Sequence, residues 1–297
     1  MLFNSFEFLL FLPVVFLLYW FVFNKKLNLQ NLLLLVSSYI FYGWWDYRFL
    51  SLIIFSSIID FYCGLSIEKA HTKTTKKKWL LLSMFINLGF LGIFKYFNFF
   101  SQSLQEAFQS FGYQIDTLTL NIILPVGISF YTFQTMSYTI DVYRNKLKPT
   151  KDIIAFFAFV SFFPQLVAGP IERATNLLPQ FYKKRQFNYA NAVDGCRQIL
   201  WGLFKKIVVA DNCALIVNQV FDNYTEYNAS SLLIGSVFFA FQIYGDFSGY
   251  SDIAIGTSRL FGFNLMQNFA FPYFSRDIAE FWRRWHISLS TWFRDYV

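Results

Sequence analysis

Long apolar runs separated by short polar loops dominate this chain. They predict membrane-spanning helices at 8–23, 29–45, 49–67, 79–100, 120–140, 153–167 and 231–263, because about 20 apolar helical residues cross the hydrocarbon core of a bilayer. The run 153–167 is short and leads into a segment in which Pro164, Gly169 and Pro170 would break a helix. Broken backbone is tolerated at membrane depth only where it is buried in protein or lines a cavity. We therefore expect a single-domain, all-α polytopic membrane protein with a broken or re-entrant segment.

Two further segments carry a mixed pattern. Residues 196–221 combine an apolar face with charged residues such as Lys205 and Lys206, which is typical of an amphipathic or partly inserted helix. Near the C-terminus, Ser275 is a candidate N-cap for a helix on which Trp282, Arg283 and His286 would share one face. Ser290 would continue that row.

Composition supports a membrane protein. Charged residues make up 14% of the chain and apolar residues 56%, whereas a soluble domain carries about 25% charged residues. The net charge of +7 comes from basic loops after the first, third and fifth runs, which predicts the inner (cytoplasmic) membrane with the N-terminus outside, and no nucleic acid partner. The first run follows no basic segment, so we expect it to be retained. The three cysteines have no CxxC spacing, and no metal is expected.

The first candidate site is the sequence Asp-Phe-Ser-Gly-Tyr-Ser-Asp at 246–252, inside an apolar stretch. An ionised group in hydrocarbon costs several kcal/mol unless it is paired or faces a wet cavity. Gln242, Asp246, Ser248 and Asp252 are therefore candidates to line a tunnel or bind substrate. The alternative is that Asp246 and Asp252 are structural carboxylates, each held by a partner or capping a helix. On a continuous helix the two carboxylates point to different faces, and a bend at Gly249 would bring them together.

The second candidate site is the run Arg283, Arg284, Trp285 and His286. A histidine there can act as a general base on a hydroxyl, and arginines can stabilise a phosphorylated cofactor or a developing oxyanion. The alternative is an interfacial belt, with aromatic rings at the lipid headgroups and arginines on lipid phosphates. Pro170 either lines a passage or belongs to a tight turn.

Other polar residues carry weaker signals. Lys205 and Lys206 could contact a nucleotide phosphate or anchor on lipid headgroups. Asp60 is expected to pair within the helical bundle, and His71, in a lysine-rich loop, is predicted to be solvated.

Five blocks of sequence resemble the membrane-bound O-acyltransferases, in particular their alginate O-acetyltransferase branch, with the D-alanine-transferring teichoic acid enzymes as more distant relatives. The blocks are Leu124-Pro-Val-Gly-Ile-Ser-Phe-Tyr-Thr-Phe-Gln, Phe163-Pro-Gln-Leu-Val-Ala-Gly-Pro-Ile, Gly202-Leu-Phe-Lys-Lys-Ile-Val-Val-Ala-Asp-Asn, Gln242-Ile-Tyr-Gly-Asp-Phe-Ser-Gly-Tyr-Ser-Asp-Ile-Ala-Ile-Gly and Phe271-Pro-Tyr-Phe-Ser-Arg-Asp-Ile-Ala-Glu-Phe-Trp-Arg-Arg-Trp-His-Ile-Ser-Leu-Ser-Thr-Trp-Phe-Arg-Asp-Tyr.

The resemblance implies a bundle of helices around a central tunnel, into which acetyl-CoA or another acyl-CoA enters from the cytoplasm. The acyl group would pass outward to a polysaccharide acceptor, through an extracytoplasmic acetyltransferase or carrier protein. His286 matches one of two family histidines, and the resemblance implies a catalytic role for it. The second family histidine lies further C-terminal in a Trp-His-Gly context that this sequence does not contain, so we expect the chain to be truncated.

Two other classes of function remain open from the sequence. Intramembrane carboxylates together with a broken Pro-Gly segment are also typical of a transporter. A non-catalytic membrane subunit of a polysaccharide modification or export complex would fit a truncated chain.

Overall fold

The computed structural model describes residues 1–113, 125, 127–167 and 169–297. The first part of the predicted span 120–140 and residue 168 of the proline-glycine segment lie outside the described residues. The all-α prediction is confirmed for the described part of the chain, in which helices are joined by loops and short 3₁₀ turns.

Fourteen α-helices are formed by these residues. Their bounds are α1 Phe6–Leu17, α2 Leu27–Gly43, α3 Leu50–Lys69, α4 Lys73–Leu91, α5 Phe97–Ser110, α6 Ile128–Tyr143, α7 Ile153–Ser161, α8 Phe163–Leu166, α9 Ala174–Leu177, α10 Tyr189–Leu203, α11 Asp211–Asp222, α12 Ala229–Leu260, α13 Ile278–Arg284 and α14 Ile287–Tyr296.

Three π-helical segments extend or join these helices, at Leu18–Val22, Gly92–Tyr96 and Phe204–Ala210. Within the described ranges, three continuous helical stretches are long and apolar enough to cross a membrane: Tyr47–Lys69, Lys73–Ser110 and Ala229–Leu260. Two shorter apolar stretches, Phe6–Val22 and Ile153–Leu166, accompany them. The second of these is divided by a kink at Phe162 in front of Pro164, where a proline cannot continue the helix.

Helices α10 and α12 cross closely at two pairs of glycines. A Cβ atom added at Gly202 would lie 2.6 Å from the carbonyl oxygen of Gly249, and one added at Gly195 would lie 2.8 Å from that of Gly256. Small residues allow helix backbones to approach closely, which is a common way of joining helices in membranes. This crossing fixes the position of α12, which carries most of the first candidate site.

A buried polar cluster joins α3, α4 and α6. Asp60, fully buried, accepts hydrogen bonds from Ser83 Oγ at 2.5 Å and from Asn87 Nδ2 at 2.8 Å. The Asn87 side-chain oxygen accepts in turn from Ser56 Oγ at 2.7 Å and Thr135 Oγ1 at 3.3 Å. Asp60 thus finds its partners within the bundle, as expected, and they are neutral donors.

Candidate functional site

The chain breaks between α13 and α14, and His286 lies in the break. Trp285 is extended, and His286 has a left-handed backbone with φ 44° and ψ 54°. The prediction of one helix that carries Trp282, Arg283, His286 and Ser290 on a single face is therefore wrong. The predicted cap is also wrong, because Asp277 caps α13 by accepting the Glu280 N–H at 2.7 Å.

A second segment, the loop 264–270, brackets this break on both sides. The Ala270 N–H donates to the Arg284 carbonyl at 3.0 Å, and the Ile287 N–H donates to the Asn268 carbonyl at 2.9 Å. The fully buried Asn268 side chain also accepts the Ser288 hydroxyl at 2.7 Å. The loop thus stabilises the peptide groups that the broken helix leaves without helical partners.

The segment around Pro170 forms the third side of the site. The Ile171 N–H donates to Ser288 Oγ at 3.0 Å. Glu172 accepts the Met266 N–H at 2.5 Å and Asn176 Nδ2 at 2.6 Å. Burial raises the pKa of Glu172 to about 7. Pro170, itself buried, therefore lies where the His286 break and the loop 264–270 meet.

The imidazole of His286 packs edge-on against Phe247 of α12, with ring centroids 4.7 Å apart. Its Nε2 atom is buried and has no hydrogen-bond partner among the described residues. Burial lowers the pKa of His286 to about 4, since desolvation disfavours the charged form. The ring is therefore neutral at physiological pH, and in the tautomer that carries its hydrogen on Nδ1, Nε2 can accept a proton or attack a carbonyl.

Helix α14 is held against α6 beyond this point. Trp292 Nε1 donates to the Phe133 carbonyl at 3.0 Å, and the Tyr296 hydroxyl donates to Asp141 Oδ2 at 2.7 Å. Arg173 pairs with Asp295 at 2.7 Å. The break at His286 is thus positioned between α12 on one side and α6 on the other.

The carboxylates of the first candidate site are each paired with a lysine. Asp252 lies 2.5 Å from Lys205 Nζ, which also donates to Ser248 Oγ at 2.9 Å. Asp246 lies 2.6 Å from Lys206 Nζ. Helix α12 continues through Gly249, so the chain does not bend to join the two carboxylates. Instead the π-helical segment Phe204–Ala210 presents adjacent lysines to both.

These pairs change the expected roles of the charged residues. The lysines that the sequence assigned to a nucleotide phosphate or to lipid headgroups are occupied by carboxylates. The side-chain oxygen of Gln242 is buried without a described partner, but it is not brought to the His286 break by any described contact.

The remaining predicted residues are spread over α13 and its end. Arg284 pairs with Glu280 at 2.5 Å, and Arg283 is exposed. Trp285 stacks on Phe281 and packs edge-on against Phe269, at centroid distances of 5.5 and 5.1 Å. Of these residues, Trp285 is the one that lies directly beside His286.

Sequence reasoning missed Asn268, Ser288 and Phe247. Asn268 lies in a loop with no helical period, and nothing in its neighbourhood marks it as buried. Ser288 would have been found if the break at His286 had been foreseen, because it is the first serine after it. Within the described ranges, no group of three His, Cys, Asp or Glu side chains could hold a metal ion.

Comparison with known proteins places this geometry in context. The chain is 44% identical to a probable alginate O-acetylase AlgI of Pseudomonas aeruginosa, over 100% of this chain and 56% of that protein. It is 36% identical to a peptidoglycan O-acetyltransferase of Helicobacter pylori, over 97% of this chain and 59% of that protein. It is 32% identical to a teichoic acid D-alanyltransferase of Bacillus subtilis, over 60% of this chain and 45% of that protein.

The first two of these relatives match this chain along all or nearly all of its length. The chain in turn spans little more than half the length of each of them. Residues 67–297, which include α12, the loop 264–270 and the break at His286, match the MBOAT family. This chain therefore belongs to the membrane-bound O-acyltransferase family.

Proposed function

We propose that the protein transfers an acetyl or other short acyl group from a cytoplasmic acyl-CoA, through the membrane, to hydroxyl groups of an extracytoplasmic polysaccharide. Three relatives support the class of reaction, since their names describe O-acetylation of alginate or peptidoglycan and D-alanyl transfer to teichoic acid. The single observation that carries the site assignment is the buried, neutral His286, whose Nε2 has no described partner.

The chemistry follows from that imidazole. Nε2 would accept the proton of an attacking hydroxyl as the hydroxyl oxygen bonds to the thioester carbonyl carbon, and would pass that proton to the sulfur of CoA as the carbon–sulfur bond breaks. Packing of Phe247 against the ring would exclude water from that side, which limits hydrolysis of the thioester. A second histidine from the Trp-His-Gly context of the family would share this work in the whole protein, and the central tunnel would connect the donor to both.

The transporter alternative is weakened because the intramembrane carboxylates have partners. Asp252 pairs with Lys205, Asp246 shares Lys206 with Asp211, and Asp60 is enclosed by neutral donors. The experiment below distinguishes an acyltransferase from a non-catalytic subunit.

The test is a matched pair of histidine variants in the whole protein, in its native membrane. We expect His286→Ala to reduce ester-linked acetate on the surface polysaccharide to the level of a deletion strain. His71→Ala is the control, because His71 is exposed in a loop and its loss should leave acetylation unchanged. Full acetylation in a membrane-inserted His286→Ala protein would refute the assignment and favour a non-catalytic subunit.

Donor and direction need a separate measurement. We propose that acetyl-CoA is the donor, that the N-terminus faces outward from the inner membrane, and that an extracytoplasmic acetyltransferase or carrier protein receives the acyl group. Inside-out vesicles supplied with labelled acetyl-CoA should incorporate label into their lumen, whereas sealed right-side-out vesicles should not. Equal incorporation by both orientations would contradict the cytoplasmic donor.

A further inference from the structure

The left-handed backbone of His286 needs support from outside its own segment. Its φ is 44° and its ψ is 54°, a conformation that is uncommon for residues other than glycine and that persists where the surrounding structure imposes it. The loop 264–270 hydrogen-bonds to the backbone on both sides of His286, through Ala270 before it and Asn268 after it. The conformation at His286 is therefore only as well defined as the position of this loop.

Glu172 holds the loop close to the point where it supports the break. Its Oε1 atom accepts the Met266 N–H at 2.5 Å, and its Oε2 atom accepts Asn176 Nδ2 at 2.6 Å. Glu172 is fully buried, so its removal would leave a buried N–H group without its acceptor. Met266 lies two residues before Asn268, whose carbonyl and side chain hold the first residues of α14.

Three segments meet here in a closed ring of hydrogen bonds. Ile171, the residue before Glu172, donates its N–H to Ser288 Oγ at 3.0 Å. Ser288 Oγ donates in turn to Asn268 Oδ1 at 2.7 Å, and the chain leads back from Asn268 over two residues to Met266, which Glu172 holds. Removal of the Glu172 carboxylate would open this ring between its first segment and the loop.

A second anchor of the same loop offers a comparison. Gln180 Nε2 donates to the Asn264 carbonyl at 3.0 Å, and Gln180 Oε1 accepts the Asn264 N–H at 2.9 Å. This anchor is farther along the chain from Asn268 than the Glu172 bond is, and Gln180 is partly exposed whereas Glu172 is fully buried. Water can replace the bonds of a partly exposed side chain, so we expect the two anchors to differ in their effect on His286.

We propose that Glu172 is a positioning residue for His286, and that it acts through the loop 264–270 without touching substrate. The role requires an acceptor oxygen at the Met266 N–H and does not require a negative charge. It rests on the proposed function, because it serves the same reaction. A loosened loop would let the imidazole leave its place against Phe247, which lowers the rate of the chemical step and leaves binding of the donor unchanged.

The test measures transfer of labelled acetyl groups by inside-out vesicles that contain the whole protein. Rates are determined over a range of acetyl-CoA concentrations and per amount of membrane-inserted protein. Glu172→Ala should lower kcat about tenfold, as expected for the loss of one buried hydrogen bond, and leave KM for acetyl-CoA unchanged.

Two further variants separate positioning from a general loss of structure. Glu172→Gln should keep most of the activity, because its Oε1 still accepts from Met266 and its amide nitrogen can donate to Asn176 once that exposed side chain turns over. Gln180→Ala is the matched control, and it should leave kcat and KM near those of the unaltered protein.

Three results would overturn the proposal. They are a normal kcat in Glu172→Ala, a kcat in Glu172→Gln as low as that of Glu172→Ala, and equal losses in Gln180→Ala and Glu172→Ala. If Glu172→Ala does not insert into the membrane, Glu172→Asp takes its place, because it keeps the carboxylate but withdraws it from Met266. That variant should also be slow, and a normal kcat would contradict the role.

His286→Ala, measured alongside, separates the positioning role from the function on which it rests. Loss of transfer in His286→Ala together with a normal rate in Glu172→Ala would refute the positioning role alone. Full transfer by His286→Ala would refute the proposed function, and the positioning role with it.

Discussion

Gly202 of α10 and Gly249 of α12 lie so close together that neither position has room for a side chain. A Cβ at Gly249 would lie 2.8 Å from the Gly202 carbonyl oxygen, and the reverse distance is 2.6 Å. Since the obstacle is backbone, it cannot rotate away as a side chain would. Everything that α12 carries, including Phe247 beside His286, depends on this crossing.

The first prediction concerns that crossing. Gly202→Ala should destabilise the protein by about 1–3 kcal/mol, because the added methyl group forces the helices apart. Gly89→Ala in α4 is the control, since nothing lies within 4 Å of a Cβ there, and alanine in a helix is favoured over glycine by roughly 0.5–1 kcal/mol. Thermal unfolding followed by tryptophan fluorescence should therefore move the two variants in opposite directions. A Gly202 variant as stable as the Gly89 variant would contradict the close packing.

The second prediction separates two nearby serines. Ser288 accepts from the Ile171 N–H and donates to Asn268, whereas Ser290 is exposed. Ser288→Ala should lower acyl transfer about tenfold, as expected for loss of roughly 1.4 kcal/mol of positioning around His286. Ser290→Ala should have no effect. Both are measured as ester-linked acetate per amount of membrane-inserted protein.

A structural loss alone would give a different result for Ser288→Ala. If the variant merely folded less well, the amount of inserted protein would fall while acetate per protein stayed constant. Normal specific activity would therefore refute a positioning role.

The third prediction concerns the Lys205–Asp252 pair. Its side chains are 11% and 22% exposed, so removal of one partner leaves a largely buried charge. Breaking a fully buried pair costs roughly 3–5 kcal/mol, and the partial exposure of Asp252 reduces this. Lys205→Met should therefore be clearly destabilising, and Lys205→Met combined with Asp252→Leu should recover much of the loss.

A double-mutant cycle on unfolding free energies measures this coupling. The exposed pair Arg48–Asp46, in which Arg48 is 63% exposed, provides the comparison, with an expected coupling of about 0–1 kcal/mol. Additive effects at Lys205 and Asp252 would show that the pair does not stabilise the fold.

The fourth prediction is a residue exchange in the buried cluster. Asp60→Asn replaces one of two acceptor oxygens by an amide nitrogen, whereas Ser83 Oγ and Asn87 Nδ2 both donate to the carboxylate. One of these buried donors would lose its acceptor, at a cost of about 1–3 kcal/mol. The exchange Asp60→Asn with Asn87→Asp would also set a carboxylate oxygen against the Ser83 carbonyl, to which Asn87 Nδ2 now donates at 3.0 Å. We therefore expect further loss of thermal stability in the double variant, and recovery would contradict this hydrogen-bond arrangement.

The sequence predicts the helical character well because apolar runs of span length have few other structures open to them in a membrane. It also indicates that Asp246 and Asp252 need partners. It cannot name the lysines, because the pairing depends on how two helices cross. A signal for that crossing was present: Gly195 and Gly202 are seven residues apart, as are Gly249 and Gly256, a spacing that repeats on one helix face.

The break at His286 was the main failure of prediction. The run from Asp277 onward has a strong cap and good helix formers, so local preference favours one long helix. The tertiary bonds from Asn268 and Ala270 stabilise the alternative, and their partners are separated from them by 14 to 20 residues of chain. A histidine tolerates the left-handed conformation better than most side chains, but this tolerance does not by itself predict that the conformation occurs.

The π-helical segment Phe204–Ala210 has a consequence for the phase of the helix. A π-helical turn holds an additional residue compared with an α-helical turn, and each residue of an α-helix accounts for about 100° of rotation. Deletion of one residue within this segment would let a regular α-helix form from α10 into α11 with the two parts still in phase, because the π-helical turn absorbs its additional residue within one full turn. Within that turn the angle between Lys205 and Lys206 would widen to the α-helical value, which would turn at least one of them away from its carboxylate. The alignment of the two ion pairs therefore depends on the number of residues in this segment as well as on their identity.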